Sequence, residues 1–415
     1  MEIKVSKSKF IYGLAFLAIL LNEIFEQYIP ILVYLDEAMA IFALLYVLMH
    51  IAAIKFIPSV QYILLFILIT ILIGGLGNYY WNYQSSTIAI WKDVLAYIKA
   101  PIIACALIVR KRISKKNDDV ALNVAYTIST YFVTTTFIFG MISLVKDIGM
   151  SYDLRRGILS FKFLYTHPTF LASSLVLTSV VLVAYNKPTF IPKKIFYIEN
   201  LITLVLTMRD KAFAYVALFI VLIFIIPDFR KIPKSVIPIA IIAAFAIAYF
   251  ISRNKLQEYM TWSWSPREAL YTGSFYVLKK CFPIGSGFAT FANSLSGEYY
   301  SKLYYLLGMS LKPGVNPSDY VDLGDAGMAY YIAQFGIIGL MLFVAILIII
   351  FKVATSIYKN DVEKIKAVML IIGYIFISIF FEAVLTNESG AMVMVALFIY
   401  LGAETNKMSE ARNAD

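Results

Sequence analysis

The stretch IFYIENLITLVLTMRDKAFAYVALFIVLIFIIP, residues 195–227, decides how this chain is arranged. Read as one helix it would be roughly 50 Å long at 1.5 Å per residue, against a hydrocarbon core of about 30 Å. Arg209-Asp210-Lys211 interrupts it near the middle. With two spans meeting at these charges, the short loops on the N-terminal side carry Lys55, then Arg110, Lys111, Arg112, Lys115 and Lys116, then Lys187, Lys193 and Lys194. Later loops on that side add Arg230, Lys231, Lys234, Lys352, Lys359, Lys364 and Lys366. With one span these last seven would change sides, against the tendency of cytoplasmic loops to collect Lys and Arg. The two-span division places both termini in the cytoplasm and Arg209 to Lys211 at an external turn.

Outward from that turn, apolar runs lie at about 10–26, 32–54, 57–76, 88–109, 121–145, 164–186, 195–208, 212–227, 235–251, 327–351, 367–385 and 390–403, which makes twelve candidate helices. Of the 415 residues 61% are apolar and only 15% charged, against roughly a quarter charged in soluble proteins. A soluble core of that make-up has too little polar surface to cover it, and each span needs about 20 apolar residues. The expectation is an all-α polytopic membrane bundle. The net charge of +10 is what positively charged cytoplasmic loops produce, so no nucleic-acid partner is expected. Two cysteines, Cys105 and Cys281, exclude a disulfide framework. The run after Lys4, Lys7 and Lys9 has no small-residue cleavage site following it and reads as a retained first span.

The division expected is 1–251 for nine spans, 252–326 for a long external loop, 327–403 for three more spans and 404–415 for a cytoplasmic tail. The loop far exceeds the 2–8 residues usual between bundled helices. Trp262, Trp264, Tyr271, Phe275, Phe282, Phe288, Tyr299, Tyr300, Tyr304 and Tyr305 argue that it folds into a cap. No internal repeat is visible, and the ionisable residues that stand out lie at the outer side, which weakens the case for a transporter.

On that outer side cations gather in three places: Arg155 and Arg156, Arg209 and Lys211, and Arg267. Guanidinium groups match phosphate oxygens, although each Arg alone can equally snorkel or pair with an acid. Pro266-Arg267-Glu268 opening and Lys279-Lys280 closing is a well-signalled short helix with Arg267 at its start. Pro283, Gly285 and Gly287 then make a turn. Asp319, Asp322 and Asp325 precede the tenth span; taken alone, an Asp there reads first as a helix cap, and second as a base for an acceptor hydroxyl. His50 reads as structural, and His167 as a helix-entry residue or a contact to phosphate or sugar. No His or Cys has metal-ligand spacing, so neither a metal nor any other cofactor is expected.

These features together resemble the O-antigen ligase and polymerase superfamily of bacterial membrane glycosyltransferases. Arg155 or Arg156, followed by Phe161 to Phe163 and His167-Pro168-Thr169, resembles the family's Arg, Phe-Gly-Phe and His-Pro-Asn pattern, with Lys162 and Thr169 as departures. Leu206-Thr207-Met208-Arg209 looks like its Thr-x-Ser/Thr-Arg, and Arg267 through Pro283-Ile284-Gly285-Ser286-Gly287 like its long-loop Arg motif and Pro-x-Gly-x-Gly turn. Asp325 ahead of Gly336-Ile337-Ile338-Gly339 stands where ligases carry a histidine, which favours the polymerase branch.

The resemblance implies a surface-polysaccharide polymerase, for O-antigen or capsule, in the bacterial inner membrane with its site on the outer face. Its substrates would be undecaprenyl-pyrophosphate-linked oligosaccharides among membrane lipids, and its protein partners a chain-length regulator and a flippase. Arg209 and Arg267 would hold the donor pyrophosphate, with Asp325 as base, while Arg155, Arg156, Lys211, His167, Trp262 and Trp264 would bind substrate. A ligase acting on lipid A core or protein is the nearest alternative, and a flippase of the same lipid-linked sugar the next.

Overall fold

The computed structural model describes residues 7–113, 118–226 and 265–402. The span expected at 235–251, Trp262 and Trp264, the tail 404–415, and Lys115, Lys116, Arg230, Lys231 and Lys234 lie outside the described residues. Within them the chain is mostly helical: α1 (Lys7–Leu20), α2 (Leu35–Met49), α3 (Pro58–Trp81), α4 (Thr87–Ile113), α5 (Asp119–Val145), α6 (Pro168–Ala184), α7 (Lys193–Leu206) and α8 (Asp210–Ile220), then α9 (Pro266–Lys280), α10 (Gly327–Ile357), α11 (Val362–Ser378) and α12 (Glu388–Val395). Four helical stretches here are long and apolar enough to cross a membrane: Pro30–Met49, Pro58–Trp81, Asp119–Val145 and Gly327–Ile357. Helix α4 is longer than two of these, but it carries Lys92, Asp93 and Lys99 in its first half.

The break expected near Arg209 is present. Helix α7 ends at Leu206, Met208 takes a left-handed φ of 53°, and α8 starts at Asp210. The all-α expectation needs one correction. Residues 151–161 form an antiparallel hairpin, β1 (Ser151–Arg155) and β2 (Ile158–Phe161), turned at Arg156-Gly157. Both turn residues have positive φ, 53° and 81°, as the tightest hairpin loops require. β-branched and aromatic residues are sparse in this stretch, so propensity gave little warning.

A second correction concerns buried charge. Midway along α4, the Lys99 ammonium lies 2.5 Å from Asp36 Oδ2 and 2.8 Å from Glu37 Oε1 of α2, with Lys99 and Asp36 almost wholly enclosed. Ionisable residues are therefore not confined to the helix ends. Acids and a base inside apolar runs are costly unless paired, and here one lysine holds two carboxylates.

Residues 265–326 are folded, and their anchor is backbone against backbone. Helix α10 is broken at Gly336, where φ is 61°. Into the break comes the 283–287 turn: Ser286 N–H donates to Ala333 O and Gly287 N–H to Gln334 O, each at 2.9 Å. A Cβ on Gly285 would sit 2.5 Å from the Gln334 carbonyl oxygen, and one on Gly287 2.4 Å from the Asn78 nitrogen of α3. The Asn78 amide exchanges two hydrogen bonds with the Phe288 backbone, at 2.8 and 2.9 Å. Buried Asp93 of α4 accepts from Ala289 N–H at 2.6 Å and Tyr330 O–H at 3.1 Å. Phe288 and Tyr304, expected among the loop aromatics, are fully buried anchors of this fold.

Gly287→Ala is expected to lower thermal stability by at least about 1 kcal/mol, because a side chain there meets both a positive φ and the α3 backbone. Gly75→Ala, one turn away in α3 with open space around it, should be neutral or stabilising. Melting of the purified proteins in detergent, followed by size-exclusion recovery, measures the contrast.

Candidate functional site

Each cation expected at the outer side faces a carboxylate. In the hairpin, the Asp153 carboxylate takes Arg155 Nε at 2.6 Å on one oxygen and Arg209 Nη2 at 3.0 Å on the other. The Ser160 hydroxyl also donates to it. Arg156 reaches across to Asp210 Oδ1 at 2.7 Å, with its guanidinium 4.6 Å above the Phe213 ring. Lys211, in the first turn of α8, meets Glu382 Oε1 at 2.7 Å. Arg267, in the first turn of α9 as expected, donates from Nε to the Asp325 carbonyl at 2.9 Å and from Nη2 to its carboxylate at 3.0 Å.

Separate in sequence, these clusters meet in space. The Arg209 guanidinium lies 5.7 Å from the Tyr152 ring centroid, and Tyr152 packs edge-on against His167 with centroids 4.8 Å apart. His167, Asp325 and Glu382 then line one cavity of about 400 Å³, together with Glu23, Glu388 and Thr169. Arg209 thus approaches one wall through Tyr152 and His167, Arg267 another through Asp325, and Lys211 a third through Glu382, while none of these cations lines the cavity itself. A volume of this order holds a small polar ligand such as a sugar ring.

His167 is the N-cap of α6: its Nδ1 accepts from Thr169 N–H at 3.2 Å. Accepting at Nδ1 places the hydrogen of the neutral ring on Nε2. Burial pushes its pKa down, and the nearby Arg209 and Arg155 push it further, against Asp153, to about 4. A ring so held is a neutral donor at physiological pH, and it accepts a proton only by giving up its cap. Asp325 differs. The protein packed around it raises its pKa, and Arg267 draws it back only in part. Its side chain remains half-exposed. For Asp153, burial is outweighed by Ser160, Arg155 and Arg209, and its pKa lies below the usual range.

The cap expected of Asp325 is corrected: Ala326 is the N-cap of α10, and no side chain caps it. The Asp325 carboxylate instead serves Arg267 and faces the cavity. Asp319 caps a local turn by accepting Gly314 N–H at 2.8 Å, which makes it structural. His50 bonds the Tyr46 carbonyl at 2.9 Å, as a structural histidine does. Sequence reasoning passed over Asp153, Glu23, Glu382 and Glu388. Glu23 carried a usable signal, an acid inside an apolar run. Among the described residues no cluster of three His, Cys, Asp or Glu is arranged to hold a metal ion.

Because the folded-state pKa of His167 is depressed, the unfolded chain binds its proton first as pH falls. The stability tied to this residue is therefore full above about pH 6.5 and is lost on acidification towards about 4. His167→Asn keeps a capping side chain and removes the titration, so its melting temperature should vary less than that of the natural protein across that window. Compared with known proteins, the chain matches no family model and no curated protein.

Proposed function

We propose that this protein is a polymerase of a bacterial surface polysaccharide, a twelve-span enzyme of the inner membrane with both termini in the cytoplasm and its site on the outer face. The growing glycan leaves undecaprenyl pyrophosphate and joins a new lipid-linked repeat unit. What supports this most is a cavity walled by Asp325, Glu382 and a neutral His167, behind which stand Arg267, Lys211 and, through Tyr152, Arg209.

In the reaction an acceptor hydroxyl attacks the anomeric carbon of the donor sugar, and the bond from that carbon to the pyrophosphate oxygen breaks. Negative charge grows on the leaving pyrophosphate. Arg209 and Arg267 neutralise it, the kind of preorganised electrostatics that dominates such steps. Asp325, with its raised pKa, takes the hydroxyl proton. The His167 Nε2–H donates to a substrate oxygen, and Arg155, Arg156 and Lys211 hold the phosphate region.

A buried Lys99 bonded to Asp36 and Glu37 favours a second reading, a flippase of the same lipid-linked sugar, since transporters keep such groups inside the bundle. Translocation of the lipid in liposomes without glycan elongation would establish it.

Arg209→Ala and Arg267→Ala, each normally expressed, should reduce chain elongation about a hundredfold or more, the scale of losing one charge-stabilising donor. The readout is the ladder of surface glycolipids on a gel together with the undecaprenyl-linked pool. Unchanged ladders in both variants would overturn the proposal, and long chains accumulating on the lipid carrier would assign a ligase instead.

A further inference from the structure

We infer that Asp153 is an internal stand-in for phosphate: its carboxylate occupies the anion subsite formed by Arg155, Arg209 and Ser160, and a phosphoryl group of the substrate must displace it. This rests on the proposed donor and names where one of its phosphoryl groups binds.

Charge counting singles out the place. Arg156, Lys211 and Arg267 each face a carboxylate of their own: Asp210, Glu382 and Asp325. Among the described residues, Asp153 alone is shared by two guanidinium groups, at 2.6 and 3.0 Å. The pair Arg155 and Arg209 therefore carries one positive charge more than its bound acid neutralises. Each phosphoryl of a diphosphate esterified at both ends carries one negative charge, but the terminal one becomes dianionic as the sugar bond breaks, and in place of the carboxylate it would then balance both cations.

The hydrogen-bonding capacity is likewise unfilled. Arg209 is only 6% exposed, and its Nε has no acceptor. An enclosed guanidinium N–H without a partner is costly, and the Asp153 carboxylate, held between Arg155 and Arg209 Nη2, leaves Arg209 Nε unmet. A terminal phosphoryl group presents three oxygens and can accept from two nitrogens of the same guanidinium.

The occupant is also placed to leave. About a third of the Asp153 side chain is exposed, and it stands on the irregular part of β1, where the pairing register shifts between Ser151 and Leu154. Arg209, by contrast, is fixed at the N-cap of α8. The more exposed partner is thus the acid, and the more enclosed one is the cation that would remain for the ligand.

The test is equilibrium dialysis of labelled inorganic pyrophosphate against the full-length protein in neutral-lipid nanodiscs. Asp153→Asn should bind about tenfold tighter than the natural protein, the scale of removing one competing charge-assisted pair. Asp153→Ala, which removes the same carboxylate and keeps Arg155, Arg209 and Ser160, should tighten binding in the same direction and serves if the first variant folds poorly. Equal or weaker binding by both variants overturns the stand-in and makes Asp153 a support for the arginines. No pyrophosphate binding by any form, at concentrations into the millimolar range, overturns the subsite itself. The donor assignment is judged separately by elongation in Arg267→Ala cells, so either failure is distinguishable from that of the polymerase proposal.

Discussion

The arrangement depends on a place where two backbones touch without side chains between them. Helix α10 opens at Gly336, and the 283–287 turn fills the opening with two of its own N–H groups. Carbonyls freed by a helix break inside an apolar bundle need donors, and here another segment supplies them. Here the same turn leans on Gly77 and Asn78 of α3. It thereby ties the 265–326 segment to the bundle at a contact that tolerates no added carbon. Arg267 at the start of α9 and Asp325 just ahead of α10 lie on either side of this joint, which makes their 3.0 Å ion pair a result of the docking.

Around the cavity, electrostatics follows from a shortage of water and an abundance of matched charge. Arg155, Arg156, Arg209, Lys211 and Arg267 share four acids, so the site is nearer to neutral than its basic residue types suggest in sequence. That neutrality moves the chemistry towards the groups whose environment is unbalanced. Asp325 is made more basic than an ordinary carboxyl, His167 is kept uncharged, and Asp153 is kept ionised by the cations it serves.

Much of the helical framework was legible in the sequence. Apolar runs bounded by charge mark helices well, and the length of 195–227 forced a break that falls at Thr207 to Arg209 in the structure. Pro266 and the paired lysines 279 and 280 marked the start and end of α9. The site was legible as cations but not as pairs. Arg209 and Asp153 are 56 residues apart, and nothing in composition says which acid meets which base. The hairpin escaped because its turn uses an arginine in left-handed backbone, where Asn or Gly is the usual sign. Asp325 was misread as a cap because sequence shows position along a helix but not the direction of a side chain. Lys99, Asp36 and Glu37 were visible as charges inside apolar runs and were absorbed into them.

That last group bears on how the chain enters a bilayer. A charged residue costs about 2.5–3.5 kcal/mol at the centre of an inserting helix on biological insertion scales; Lys99 lies midway along α4, while Asp36 and Glu37 stand in the first turn of α2. Asp36 and Glu37 are made long before their partner, which follows 63 and 62 residues later. Until Lys99 emerges, the two acids lack the base they meet in the folded chain; once it does, ion pairs join α2 to α4. The triad can therefore close only after the fourth helix has been synthesised.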